Sequence, residues 1–353
     1  MPVYTHPEFH DHEQVVHAFD AATGLRAIIA IHSTALGPAV GGCRMWPYAD
    51  DAAALTDVLR LSRGMTYKSA LAGLPFGGGK SVIIGDPARD KTPALFAAFG
   101  AAVDRLGGRY VAAEDVGTSV EDMDHMRRAT RHVAGLAGGS GDPSPVTAYG
   151  VFMALSAAVR HRLGRDGRGR DELGGLTVAV QGLGHVGFEL CRLLHGAGAG
   201  LVVADIDPGR VAEAAATFGA EGAPPDRIHA APADVFAPCA LGGILNDSTI
   251  PDLGAAIVCG AANNQLAAPG HAGAMARRGV LYVPDYLANA GGIINIHYER
   301  PRYDAAAARA HVAGIFDTTL QILDRAQVAG ILPAAAADTL AEERLNAASR
   351  AAA

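Results

Sequence analysis

The spacing of apolar residues changes repeatedly along the chain. Short continuous runs give way to spacings of three and four, the pattern of strands alternating with helices. Leu25–Ile31 is an apolar, β-branched run that predicts a strand. From Asp50 to Met65, Ala54, Val58, Leu61 and Met65 share one helical face, and the stripe continues to Lys68. Ser81–Ile84 predicts a short strand stopped by Gly85-Asp86-Pro87. Thr92-Pro93 opens a helix with a cap and a first-turn proline. Tyr110–Ala113 predicts a strand with Glu114 and Asp115 just past its end, and Ser119–Asp122 reads as a capping box.

Gly138–Pro145 (GGSGDPSP) marks a domain boundary, followed by a connecting helix over Thr147–Arg162 and a polar, glycine-rich loop over Arg165–Gly175. A second alternation begins with strand Leu176–Gln181, a helix over Val186–Leu194 and strand Gly200–Asp205. Ala256–Cys259 and Val280–Val283 predict further parallel strands. Ala305–Ala329 reads as one long helix, and Ala334–Ala353 as an alanine-rich one. The pattern predicts an α/β protein of two domains, residues 1–140 and 141–330, with the helix at 331–353 packing back on the first.

The chain has 353 residues, enough for about two domains of ~150. Half the residues are hydrophobic and 18 % are charged, which argues against disorder. A net charge of −7 without a basic block argues against nucleic acid as a partner. No apolar run reaches the ~18 residues of a membrane span, and the polar N-terminus lacks a signal-peptide core. Cys43, Cys191, Cys239 and Cys259 are far apart, which suits free thiols in a reducing cytoplasm. His6, His10, His12 and His17 lack the carboxylate or cysteine spacing of a metal site, so no metal is expected. Trp46 and Tyr48 read as packing residues rather than ligands.

The 44 glycines are the compositional outlier, and two clusters carry chemistry. Gly182-Leu-Gly184-His185-Val186-Gly187 matches GxGxxG between a predicted strand and a predicted helix, and Asp205 ends the next strand. That context matches the dinucleotide fingerprint, with Gly182 for the turn, Gly184 for the pyrophosphate and Gly187 for helix packing; the motif alone leaves a flavin or a purely sensory nucleotide site open. The helix N-terminus offers free N–H groups to phosphate. Asp205 suits a ribose diol and repels a 2′-phosphate, which favours NAD over NADP.

Phe76-Gly-Gly-Gly79-Lys80-Ser81 resembles a phosphate-binding loop, but its glycine register is wrong and it leads into a strand, not a helix. The glycines instead predict tight turns around a partly desolvated Lys80. Lys68 lies twelve residues upstream. If the two ammonium groups converge, burial and like charge both favour the neutral amine, which can act as a base.

With these motifs in hand, the chain resembles the amino-acid dehydrogenases acting on glutamate, leucine, phenylalanine and valine, most nearly their leucine-type branch. The resemblance rests on Gly37–Arg44 (GPAVGGCR), Met65–Lys68, Gly77–Lys80, Ala113–Thr118 (AEDVGT), Gly141–Pro145, Gly182–Gly187, Gly260–Asn264 (GAANN) and Asn289–Gly292. It covers nearly the whole chain. It implies an N-terminal substrate and oligomerisation domain, a Rossmann-type NAD domain, a cleft between them for the substrate, and a homo-oligomer. It also implies reversible oxidative deamination of an L-amino acid to a 2-oxo acid, ammonium and NADH.

By the same resemblance, Lys68 matches the lysine that holds the substrate α-carboxylate, assisted by Asn289 and the Gly41-Gly42 backbone. Lys80 matches the lysine that activates water, and Asp115 the acid that moves protons at the substrate nitrogen. Thr147 and Asn263 match residues that place the nicotinamide. Glutamate-specific members carry a lysine where this chain has Val40. With Ala113, Ile293 and Ile296, Val40 implies an apolar pocket for a branched aliphatic side chain: leucine, with valine and isoleucine. Two other readings compete, an aromatic (phenylalanine) dehydrogenase and a catalytically inactive NAD-binding regulator. Intact Lys68, Lys80 and Asp115 argue against the inactive one.

Overall fold

The computed structural model describes residues 3–136, 142–164, 173–299 and 303–352. It divides into two compact units: Met1–Gly141 with Glu299–Tyr303 and Ala341–Ala353, and Asp142–Tyr298 with Asp304–Leu340. The predicted boundary segment at 138–141 and most of the predicted loop, at 165–172, lie outside the described residues.

The first unit is built on a five-stranded sheet of β1 (Gln14–Asp20), β2 (Leu25–Ser33), β3 (Ala39–Trp46), β4 (Gly77–Ile84) and β5 (Tyr110–Glu114). The order is β1-β2-β4-β3-β5, so β4 is central. β1 and β2 pair antiparallel, as do β2 and β4, whereas β3 runs parallel to β4 and β5. The sequence pattern missed β1 and β3. β1 is a half-exposed edge strand with no continuous apolar run, and β3 holds a glycine pair that local propensity counts against a strand.

Helix α1 (Asp51–Leu71) starts where Asp50 accepts the Ala53 N–H. It buries Ala54, Leu55, Val58 and Leu59 against Ile28, Ala30 and Val82. Helix α2 (Pro93–Asp104) is capped by Thr92, and α3 (Val120–Arg127) opens with the Ser119–Asp122 capping box. Both contribute to the opposite core, where Phe96, Phe99, Met123 and Met126 join Ile29, Met45 and Tyr110.

The second unit holds a six-stranded sheet, all parallel, in the order β11-β10-β9-β6-β7-β8. Its strands are β6 (Thr177–Gln181), β7 (Gly200–Ala204), β8 (Glu221–Gly222), β9 (Val235–Pro238), β10 (Ile257–Val258) and β11 (Leu281–Tyr282). The chain leaves β6 toward β7 on one side and returns to β9 on the other. The carboxyl end of β6 is therefore the topological switch point, where open α/β sheets bind ligands.

Its helices are α4 (Ser144–Leu163), α5 (His185–Gly196), α6 (Pro208–Phe218), α7 (Gly270–Arg277), α8 (Asp285–Ala288), α9 (Gly291–His297), α10 (Ala305–Ala313) and α11 (Ile315–Ala329). The single helix expected over 305–329 is in fact two, parted at Gly314. Helix α12 (Pro333–Ala352) begins two residues after the expected 331, and only its part from Ala341 groups with the first unit. The second unit runs on to Leu340 rather than ending at 330. Within the first unit, Arg344 donates to the Ala70 and Leu71 carbonyls, satisfying acceptors at the end of α1.

Candidate active site

Lys80 sits mid-strand in β4, 6 % exposed. The expected glycine turns around it are absent: Gly77, Gly78 and Gly79 are extended strand residues without positive φ. Their missing side chains serve close packing. A Cβ on Gly78 would lie 2.0 Å from the Thr66 nitrogen of α1, and one on Gly79 would lie 2.7 Å from the Tyr110 ring. Helix α1 and the Tyr110 ring of β5 close on β4 because no side chain stands there, and Lys80 is buried beside them.

Lys80 meets a carboxylate. Its Nζ lies 2.6 Å from Asp115 Oδ2. Asp115 follows β5, and Thr118 fixes the turn: its Oγ1 accepts the Asp115 N–H at 3.0 Å and donates to the Cys43 carbonyl at 2.9 Å. Gly42 adjoins the pair, since a Cβ there would lie 3.1 Å from Lys80 Nζ and 2.6 Å from the Asp115 Cβ. Burial alone would raise the Asp115 carboxyl. The nearby Lys80 and Arg44 cations outweigh it and hold the group below its ordinary value.

Arg44 on β3 donates from Nε to Asp115 Oδ2 at 3.2 Å and from Nη1 to Asp57 at 2.8 Å, and Tyr48 donates to the same Asp57 oxygen at 2.6 Å. Tyr48 packs against the α1 core, as expected, and also hydrogen-bonds Asp57, whereas Trp46 is 48 % exposed and not core packing. The motif containing Arg44 was visible in sequence, but its link to Asp57 and Asp115 was not.

Lys68 lies near the end of α1, half-buried. Val40 and Ala113 are buried on β3 and β5, and Gly41 packs so tightly on the Gly79 carbonyl that a Cβ would stand 1.7 Å from it. Of the N-terminal histidines, His6 and His12 are buried: His6 meets the Thr56 hydroxyl at 3.1 Å, and His12 meets the Leu59 carbonyl and Ser62 hydroxyl.

In the second unit, Gly182 follows β6 with φ +91°, a conformation that favours glycine. A Cβ on Gly187 would lie 1.9 Å from the Gly182 carbonyl, so the α5–β6 approach requires that glycine. Gly184 is the N-cap of α5, and a Cβ there would meet nothing within 4 Å. No side chain caps this helix end, which leaves an open cradle of backbone N–H groups. His185, exposed, and Val186, half-buried, form the first turn. The Asp205 carboxylate accepts the Leu183 N–H at 2.6 Å and the Asp207 N–H at 2.9 Å, tying the end of β7 to the glycine turn. These features fit a dinucleotide.

The second unit also brings Asn263 and Asn289 together and sets Thr147 beside Gly291 and Gly292. Asn289, buried, donates from Nδ2 to Asn263 Oδ1 at 2.7 Å and to the Ala261 carbonyl at 3.0 Å. Gly291 and Gly292 press on α4: a Cβ on Gly292 would lie 3.1 Å from Thr147 Oγ1. Ile293 is buried and Ile296 half-buried, both on α9.

Both parts of the chain resemble known proteins. Residues 12–132 match the Glu/Leu/Phe/Val dehydrogenase dimerisation domain, and residues 201–305 the Glutamate/Leucine/Phenylalanine/Valine dehydrogenase domain. The chain is 49 % identical to a leucine dehydrogenase of Thermoactinomyces intermedius, over 98 % of this chain and 94 % of that protein. It is 49 % identical to a valine dehydrogenase of Streptomyces albus, over 96 % and 95 %. The crystal structure of an L-tryptophan dehydrogenase from Nostoc punctiforme matches at TM-score 0.84 and 45 % identity, covering 96 % of this chain and 97 % of that one. The chain belongs to the Glu/Leu/Phe/Val dehydrogenase family.

Proposed function

We propose that the protein oxidatively deaminates branched aliphatic L-amino acids, leucine with valine and isoleucine, using NAD. The observation that carries this reading is the buried Lys80–Asp115 pair at 2.6 Å beside Gly42. The similarity to leucine and valine dehydrogenases supports the aliphatic substrate. So does Val40 at the position where glutamate-specific members carry a lysine, because a buried side-chain carboxylate without a partner is strongly disfavoured.

In this reading Lys68 and Asn289 hold the substrate α-carboxylate near the Gly41-Gly42 backbone, and Val40, Ala113, Ile293 and Ile296 receive its hydrocarbon. Ionised Asp115 takes a proton from the substrate ammonium and releases it to solvent. A bound dinucleotide would supply the hydride acceptor for Cα. The iminium that forms lies next to the Asp115 carboxylate, which stabilises its charge. The Nζ–Oδ2 contact is a proton path: a proton passed from Lys80 to Asp115 frees the amine to take one from water as the oxygen adds to the imine carbon. Asp115 then protonates the nitrogen. The C–N bond breaks, the leaving ammonia takes the hydroxyl proton, and the products are the 2-oxo acid and ammonium.

Gly182, Gly184, His185, Val186 and Gly187 would hold the pyrophosphate, Asp205 the adenosine ribose, and Thr147 and Asn263 the nicotinamide. The Asp205 charge, which repels a 2′-phosphate, supports NAD over NADP. We assign a homo-oligomer, supported by the match to a dimerisation domain; a monomeric mass in light scattering would contradict it. The four free cysteines suit a reducing cytoplasm, and among the described residues no helix is long and apolar enough to cross a membrane.

The similarity to a tryptophan dehydrogenase favours one second reading, an aromatic substrate. NADH formation across leucine, valine, isoleucine, phenylalanine, tryptophan and glutamate separates the two. Leucine should give the highest kcat/KM and glutamate none. A pocket of this kind discriminates single methylenes by only ~10- to 200-fold, so valine and isoleucine should also turn over. A preference for an aromatic substrate would overturn the aliphatic assignment, and no turnover of any substrate would favour the inactive regulator.

A further inference from the structure

Arg44 is a charged residue in direct contact with the Lys80–Asp115 pair to which the chemistry above assigns no step. Its side chain is 16 % exposed, and its guanidinium reaches two carboxylates on different elements. Nε donates to Asp115 Oδ2, the same oxygen that Lys80 approaches. Nη1 donates to Asp57 on α1, whose Oδ2 also takes the Tyr48 hydroxyl. The contacts Tyr48–Asp57–Arg44–Asp115–Lys80 therefore join β3, α1, the turn after β5 and β4 through one planar cation. A guanidinium gripped from two sides has its fork fixed in orientation, which a flexible ammonium would not. Two cations and two carboxylates meet here, so no charge in the cluster is left unbalanced.

We propose that Arg44 is a positioning residue for the deamination: it holds Asp115 Oδ2 against Lys80 Nζ and keeps that carboxylate ionised, while Asp57 and Tyr48 fix its other arm. The inference rests on the reading of Lys80 and Asp115 as the catalytic pair.

The groups facing Asp115 come from three strands: Lys80 from β4, Arg44 and Cys43 from β3, and Tyr110 from β5. Burial pushes the Cys43 thiol up to about 12 and the Tyr110 hydroxyl well above its ordinary value, so both stay neutral. The charges that hold Asp115 ionised are then Lys80 and Arg44, against a burial effect of opposite sign. Losing Arg44 moves the carboxyl upward. The deamination needs the ionised form, so activity must fail at a higher pH as the medium is acidified.

The test is the pH profile of kcat/KM for leucine oxidation in Arg44→Gln and Arg44→Lys, with Lys80→Ala measured beside them. Arg44→Gln should move the acidic limb up by about one pH unit. It should also lower kcat by about 10- to 100-fold, with a smaller change in KM. Arg44→Lys keeps the charge without the fork, so the limb should return while kcat stays about tenfold low. A folded Arg44→Gln with the wild-type limb and kcat overturns the proposal. Should that variant not fold, Arg44→Lys decides, and an unchanged kcat there overturns it. Lys80→Ala separates the two levels. Full turnover in that variant means the catalytic reading itself is wrong. An inactive Lys80→Ala beside a wild-type-like Arg44→Gln means only the role of Arg44 is wrong.

Discussion

Both units place a glycine-rich motif beside the residues that carry their chemistry, and they use it in opposite ways. In the first unit Gly77–Gly79 are extended residues of the central strand, and their lost side chains are replaced by Thr66 of α1 and the Tyr110 ring. The result is a packed environment in which buried Lys80 pairs with Asp115, whose carboxylate also accepts from Arg44. In the second unit only Gly182 and Gly187 are spent on a turn and a close approach. Gly184 faces open space at an uncapped helix end. One motif packs against its neighbours around a charge pair, and the other leaves a helix end without a side-chain cap. Glycine content alone does not distinguish a cradle from a packing seam; what a Cβ would meet does.

The largest effect should follow from filling the seam. Gly78→Ala drives a Cβ to within 2.0 Å of helix backbone that cannot rotate away. We expect a loss of at least ~3 kcal/mol, read as a large fall in Tm or as insoluble protein. A Gly78→Ala protein that melts with the wild type would show that the seam yields, and the contrast with Gly184 would break.

A smaller and different effect should follow from filling the cradle. Gly184→Ala meets no protein atom, and its φ of −65° suits alanine, so stability should change by no more than ~1 kcal/mol. The methyl would occupy the room that the pyrophosphate needs. Dinucleotide affinity, followed by fluorescence titration, should weaken by about tenfold, equivalent to ~1.4 kcal/mol. Unchanged affinity would mean the phosphates lie elsewhere, and a large loss of stability would mean the cradle is also a seam.

What the sequence disclosed follows the same division between local and tertiary causes. The caps at Thr92 and Ser119 were legible because each is made within three residues. The Gly182–Gly187 turn was legible because its strand–helix context is contiguous. β3 was not, because Ala39–Trp46 is held as a strand by parallel neighbours far along the chain. The same distance hid the setting of Lys80. Its motif was plain, but its partner stands 35 residues on and the helix that seals it precedes it. Arg44 was in view as a letter of a motif, whereas its bridge to Asp57 and Asp115 exists only in the folded chain.

The most direct measurement is the turnover of Asp115→Asn with leucine and NAD, together with its dinucleotide affinity. The side chain keeps its size and loses the charge that pairs with Lys80. The expected result is a folded protein that binds the dinucleotide within about twofold of the wild type and deaminates leucine ~10³-fold or more slowly. A folded variant that still turns leucine over at near the wild-type rate would show that the buried pair is not where protons move.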